Sequence, residues 1–245
     1  MDTLNHAQWA QRARMPGVGA MIFQDRAEAA EMLAKALAQW RGKNPLVVAI
    51  PRGAVPMGKI VAERLEGELD LVLVRKLHAP GNPEFAIGAV DETGWIYYAE
   101  HAGAAGATDR YAQAQADAEL ETIQRRRAQY TPERPPLDPA GRVVIVVDDG
   151  LATGATMIAA LHALRARRPA MLICAVPVAS PGAVENVRPF ADEVVCLQTP
   201  GSFYAVGQFY RSFPQVDDAE VVAELRGAGK RSAVSQPVAR QASKR

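Results

Sequence analysis

The sequence predicts an α/β protein with a mostly parallel central sheet flanked by helices. Three observations predict it. The short apolar runs Leu46–Ile50, Val143–Val147 and Met171–Val178 read as strands buried on both faces. Segments of helical period fall between them. The chain of 245 residues, 49% of them hydrophobic, is long enough for one such domain with a decorating lobe.

Met1 to about residue 20 is polar, with no sustained period, and reads as a loose leader. Asp25 is an N-cap with Glu28 three residues on, and Ala29, Met32, Leu33, Ala36, Leu37 and Trp40 follow at helical spacing. A helix is therefore expected over Asp25–Trp40. The strand Leu46–Ile50 ends at Pro51; a helix over Val55–Leu65 and a strand over Leu69–Lys76 follow. His78–Phe85 holds two prolines, a glycine and an asparagine, which marks a loop. Ala86–Val90 and Gly94–Tyr98 pair as a β-ribbon. Asp109–Tyr130 is helical but sparse in apolar residues, as a surface helix would be, and Thr131–Gly141, with four prolines, is a connector.

Val143–Val147 is the most apolar strand candidate. The helix Ala155–Arg168 comes next, with Met157, Ala160, Leu161 and Leu164 on one face, then strands over Met171–Val178 and Glu193–Leu197. Thr199–Pro214 is aromatic-rich and irregular, and Asp217–Leu225 is the last helix. Gly227–Arg245 carries five cations and no acid and reads as a disordered tail. One domain over residues 21–226 is thus expected between a leader (1–20) and a basic tail (227–245).

Charge excludes some classes of partner. Lys plus Arg number 28 against 27 Asp plus Glu, a formal charge of +1, so neither a nucleic-acid nor a membrane surface is expected. Cys174 and Cys196 lie in apolar runs and read as buried, reduced thiols; no Cys-x-x-C spacing suggests zinc. Met1–Met15 lacks the apolar stretch of a secretory signal, and no run nears the ~18 apolar residues of a membrane span. A cytoplasmic location is expected.

In a sheet of this kind ligands bind beyond the carboxyl ends of the strands. The loop there after Val143–Val147 is the most informative segment: Asp148-Asp149-Gly150-Leu151-Ala152-Thr153-Gly154-Ala155-Thr156. Two adjacent carboxylates at a strand end are costly unless ribose hydroxyls, a magnesium ion or a basic neighbour relieve them. Gly150 and Gly154 allow a tight turn and close approach of a ligand. Thr153 and Thr156 offer hydroxyls, and the free amides of the next helix suit a phosphate. The string is neither a Walker A loop, which needs a lysine, nor a Gly-x-Gly-x-x-Gly turn. It fits a ribose bearing a diol and a phosphate. Arg52-Gly53 stands just past the first strand: the planar guanidinium suits pyrophosphate, and Gly53 permits close backbone approach. Arg75 and Lys76 end the next strand, Lys76 as a second pyrophosphate contact and Arg75 as a structural cation.

The segment Val143–Thr156 resembles the binding signature for 5-phosphoribosyl-1-pyrophosphate (PRPP) in type I phosphoribosyltransferases. The resemblance runs from about Met21 to Leu225. AIGAVDETG (Ala86–Gly94) and FYAVGQFY (Phe203–Tyr210) make it similar to a bacterial and archaeal branch of predicted phosphoribosyltransferases. It implies that Asp148 and Asp149 hold the ribose hydroxyls, and that Ala152, Thr153, Gly154, Ala155 and Thr156 hold the 5′-phosphate, with Gly150 in the same PRPP-binding loop. It also implies that the loop at Arg52 and Gly53 binds pyrophosphate.

His78–Phe85 resembles the family's mobile closing loop, in which His78 and Glu84 would shuttle protons or pair with the acceptor. A small hood subdomain is implied, from the segment near Met21–Phe23 or from Phe203–Tyr210. The aromatic rings of Phe203, Tyr204, Phe209 and Tyr210 would either stack on a flat base or close the lobe's core. Two departures stand out. Ala152 replaces the aspartate of 6-oxopurine enzymes, which argues against hypoxanthine or guanine, and Ala54 replaces a second glycine after Arg52-Gly53. The implied reaction is Mg2+-dependent transfer of phosphoribose from PRPP to a nitrogenous base or related acceptor, with Mg2+ carried mainly by PRPP; a homodimer is compatible. A non-catalytic PRPP sensor, or another ribosyl-phosphate enzyme such as a hydrolase, is the alternative.

Overall fold

A computed structural model describes residues 20–132 and 135–232 of the chain. Five parallel strands form the central sheet: β1 (Leu46–Ala49), β2 (Glu68–Leu71), β6 (Val143–Val147), β7 (Met171–Val178) and β8 (Glu193–Gln198), in the order β2-β1-β6-β7-β8. The apolar runs are buried on both faces, as parallel strands require. Val47, Ala49, Ile145, Val147, Ile173 and Ala175 point into one core. The intervening Leu46, Val48, Val144, Val146, Leu172 and Cys174 point into the other.

Helices α1 (Arg26–Ala36), α2 (Ala54–Leu65) and α6 (Asp218–Ser232) cover the first face. Helices α4 (Ala155–Arg165) and α5 (Pro181–Val187) cover the second. The α/β class with a mostly parallel sheet therefore holds. The strand order reverses between β1 and β6, so the loops after these two strands flank one crevice.

A second, antiparallel sheet of three strands holds β3 (Val74–Ala79), β4 (Asn82–Asp91) and β5 (Ile96–Tyr98) and packs on α4. It corrects two expectations. Leu69–Lys76 is not one strand: after the last parallel-ladder bond, from Val72 N to Ala49 O, the Leu73 amide donates to Glu92 Oε1 and the chain crosses into the second sheet. Nor is His78–Phe85 an open loop. It is the tip of the β3–β4 hairpin, turning at Pro80-Gly81, with Gly81 in the left-handed region (φ 74°).

The long helix α3 (Asp109–Tyr130) has the expected bounds and buries only Ala112, Ala116, Ile123 and Tyr130. Three helix ends shift. α1 stops at Ala36 and gives way to a 3-10 turn over Ala38–Trp40, α4 stops at Arg165, and α6 runs to Ser232, past the expected start of the tail. Among the described residues no helix is long and apolar enough to cross a membrane. Cys174 and Cys196 are free thiols.

Both candidate hood segments come together. The Phe23 amide donates to Phe209 O (2.8 Å), the Arg211 amide donates to Phe23 O (2.8 Å), and the Phe23 and Tyr210 rings lie 5.4 Å apart. Phe23, Phe209 and Tyr210 are buried.

Candidate active site

Strand β6 ends in a fixed position because β1 and β7 pair it on both sides. Asp148 and Asp149 emerge there, and the Asp149 amide donates to Asp148 Oδ1 (2.8 Å). Burial, and then the neighbouring Asp149, push the Asp148 carboxyl well above the usual carboxylate range. Burial raises Asp149 too, but the Arg26 guanidinium opposes it. Arg26 Nε and Nη2 donate to Asp149 Oδ2 at 3.1 and 3.0 Å. The Tyr210 hydroxyl donates to Asp149 O (2.6 Å), and burial pushes that phenol up.

The chain then turns tightly. A Cβ on Gly150 would stand 2.7 Å from Val206 Cγ1 and 3.0 Å from Val178 Cγ1. Gly154 has φ +85°, open to glycine with little strain, and caps α4. The loop's carbonyls are tied away from the crevice: Ser180 Oγ donates to Ala152 O (2.7 Å) and Ser180 N to Leu151 O (2.9 Å). The first intrahelical bond of α4 runs from Ile158 N to Gly154 O (2.9 Å), and the Ala155 amide donates to Thr153 Oγ1 (3.4 Å), so the amides of Thr156 and Met157 are the ones left open to an anion.

The loop after β1 faces this one. Its Pro51–Arg52 peptide is cis. A Cβ on Gly53 would stand 2.3 Å from Asp149 Oδ2 and 3.0 Å from Arg26 Nη2, so only glycine leaves room for that ion pair. Arg52 Nη1 lies 3.6 Å from Asp218 Oδ1, and the Tyr130 hydroxyl donates to the same Asp218 oxygen. Burial, then that bond, push the Tyr130 phenol up to about 12. Asp218 is held low by Tyr130 and then by Arg52.

Residues 50–53, Lys76, residues 148–157 and Val206 line one cleft of about 300 Å³. Lys76 reaches it from β3, while Arg75 is taken up by Glu119 (2.6 Å). The cleft therefore unites Arg52, Gly53, Lys76, Asp148, Asp149, Gly150, Ala152, Thr153, Gly154, Ala155 and Thr156. It does not include His78, whose amide donates to Gln115 Oε1 (2.9 Å) and whose Nδ1 is buried with no hydrogen-bond partner among the described residues. Glu84 lies in β4, but its side chain falls outside the described residues.

Sequence reading missed Arg26, Tyr210 as an anchor of Asp149, and Asp218. Arg26 lies 123 positions from Asp149, and nothing local marks it beyond its place just inside α1.

The sequence model of the phosphoribosyl transferase domain matches residues 20–213. Two Mycobacterium tuberculosis proteins, of strains CDC 1551 / Oshkosh and H37Rv, are each 42% identical over 210 residues, and their names place them among the phosphoribosyl transferases. The match covers 83% of this chain but 46% of theirs, so the chain spans about half the length of these curated relatives. The crystal structure of TT1426 from Thermus thermophilus is similar at 45% identity and a TM-score of 0.72, over 85% of this chain and 99% of that one. The domain match spans both loops of the cleft and the strands that carry them, and the chain belongs to the phosphoribosyl transferase family.

Proposed function

We propose that this protein transfers the 5-phosphoribosyl group of PRPP to a nitrogenous base or related acceptor and releases pyrophosphate. The observation that carries this reading is the single cleft in which Asp148–Thr156 meets Arg52, Gly53 and Lys76. Asp148 and Asp149 accept hydrogen bonds from the ribose hydroxyls. The amides and hydroxyls of Thr153–Thr156 take the 5′-phosphate at the positive end of α4. Arg52 and Lys76 take the pyrophosphate.

A nitrogen lone pair attacks ribose C1 as the bond to the pyrophosphate oxygen breaks. The configuration inverts through an oxocarbenium-like state, and the leaving group departs with the bonding pair. Charge grows on pyrophosphate in that state, and the preset cations Arg52 and Lys76 stabilise it. When bound with PRPP, Mg2+ would add positive charge to the leaving pyrophosphate. The paired carboxylates Asp148 and Asp149 in the same cleft are oxygen chemistry of the kind such an ion takes.

The hood divides its aromatic residues between two uses. Phe209 and Tyr210 are buried, and Phe203 packs 5.3 Å from Phe209. Tyr204 alone of the four is open, at 90% exposure, two residues before Val206 at the cleft. Tyr204 is the ring we assign to stacking on the acceptor. The test is pyrophosphate release from Mg-PRPP across a panel of nitrogenous bases. Release with at least one base is expected; tight PRPP binding with no release under any acceptor overturns catalysis.

A further inference from the structure

Arg26 does not line the cleft, and its guanidinium is engaged elsewhere. Its Nε and Nη2 are on Asp149 Oδ2, its Nη1 donates to Pro214 O (2.6 Å), and its flat face lies 3.7 Å from the centre of the Phe213 ring. Its side chain is 12% exposed and that of Asp149 17%. The bonds converge on one carboxylate oxygen. Among the described residues no side chain hydrogen-bonds the other, Oδ1, and Asp149 lines the cleft.

We propose that Arg26 is a positioning residue for the donor: it fixes Asp149 so that Oδ1 is presented to the ribose hydroxyls, and it ties this grip to the hood through Phe213, whose ring lies 4.8 Å from that of Tyr210. The inference rests on the reading of Asp149 as a ribose ligand. Two features support it. The room for the ion pair is made by a glycine at 53, within the opposite loop, so three separate segments are shaped around it. The backbone of Asp149 is pinned independently by the Tyr210 hydroxyl, which leaves the side chain's direction to Arg26. The charged groups around Asp149 are Arg26, Asp148 and Lys76, with the Tyr210 phenol alongside. Without Arg26, burial and Asp148 drive Asp149 toward its neutral form, and Lys76 remains as the cation opposing this.

The test compares two probes on the full chain by calorimetry: ribose 5-phosphate, which offers the diol, and inorganic phosphate, which does not. Arg26→Met is expected to weaken ribose 5-phosphate by about tenfold or more, while phosphate changes less than about twofold. The loss should be larger near about pH 6 than about pH 8, because the unpaired carboxyl holds its proton longer. Asp149→Asn should fall as far, the double variant no further, and Arg26→Lys should recover part of the loss. Where methionine at 26 prevents folding, Arg26→Gln, which keeps a donor for Pro214, gives the same comparison. An unchanged ratio of the two affinities, equal losses for both probes, or additive losses in the double variant would each overturn the role of Arg26. Failure of the parent to bind ribose 5-phosphate sinks the reading of the cleft instead.

Discussion

At Asp148, ligand binding and the stability of the empty protein pull in opposite directions. Burial and Asp149 raise its pKa, so the folded chain binds that proton more tightly than the unfolded chain does. The stability contributed by this group is therefore present below the ordinary carboxylate range and lost as pH rises through the higher folded value. Asp148→Asn removes the loss. Thermal melts between about pH 4 and pH 8 should show the variant matching the parent at the acidic end and melting a few degrees higher at the alkaline end, where ~1 kcal/mol is worth ~2–4 °C. Its affinity for ribose 5-phosphate should drop about tenfold or more. A parent melting curve that is no less stable at alkaline pH than the variant's would contradict this account.

Gly53 makes the same point through space. The sequence suggested a glycine that lets the backbone approach a ligand; the structure adds that its missing Cβ leaves room for Asp149 and Arg26. Gly53→Ala should keep the far-ultraviolet circular dichroism spectrum of the parent and weaken PRPP by about tenfold or more; parent-like affinity would show that the loop yields easily.

Among the elements, the ribbon β3-β4-β5 depends on one carboxylate. Asp91 is fully buried. Its Oδ1 accepts from Thr93 N (2.8 Å), Thr93 Oγ1 (2.6 Å) and Trp95 N (3.1 Å). Its Oδ2 meets His162 Nδ1 at 2.9 Å, and the His162 ring stacks on Trp95 with centroids 3.7 Å apart. This joins the β4–β5 turn to α4, whose other end forms the phosphate loop. Asp91→Ala leaves two amides, the Thr93 hydroxyl and the imidazole without their acceptor, at a cost of about 1–3 kcal/mol. Urea denaturation should register that loss, and pyrophosphate should bind more weakly because Lys76 rides on the same ribbon. Unchanged pyrophosphate affinity in a destabilised variant would mean that Lys76 is positioned by other contacts.

Nothing in the local sequence announces this element's separate identity. Leu71–Val74 is an unbroken apolar run with no glycine or proline at the crossing, so periodicity reads one strand over Leu69–Lys76 where the chain changes sheets. The parallel strands were legible for the opposite reason: burial on both faces leaves continuous apolar runs. The donor loop was legible because its residues are contiguous. Arg26–Asp149 and Arg52–Asp218 join residues far apart in the chain, and only the fold brings them together.

For the whole molecule, the reversal of strand order between β1 and β6 divides the site into two half-sites carried by different loops. One loop, after β6, takes ribose 5-phosphate in the proposed reading; the other, after β1 and joined by Lys76 from the ribbon, takes pyrophosphate. PRPP links both fragments covalently, so it should bind much more tightly than either alone. The two halves should also be separable by substitution. Arg52→Ala is expected to weaken pyrophosphate and PRPP by about tenfold or more and to spare ribose 5-phosphate, while Asp148→Asn weakens ribose 5-phosphate and PRPP and spares pyrophosphate. No hydrogen bond or ion pair joins the two side chains among the described residues, so the PRPP losses should add in free energy in the double variant to within about 0.5 kcal/mol. Calorimetry with the three ligands on four proteins closes that cycle. If Arg52→Ala weakens ribose 5-phosphate as much as pyrophosphate, the substitution has collapsed the cleft as a unit and the two loops do not act as separate grips.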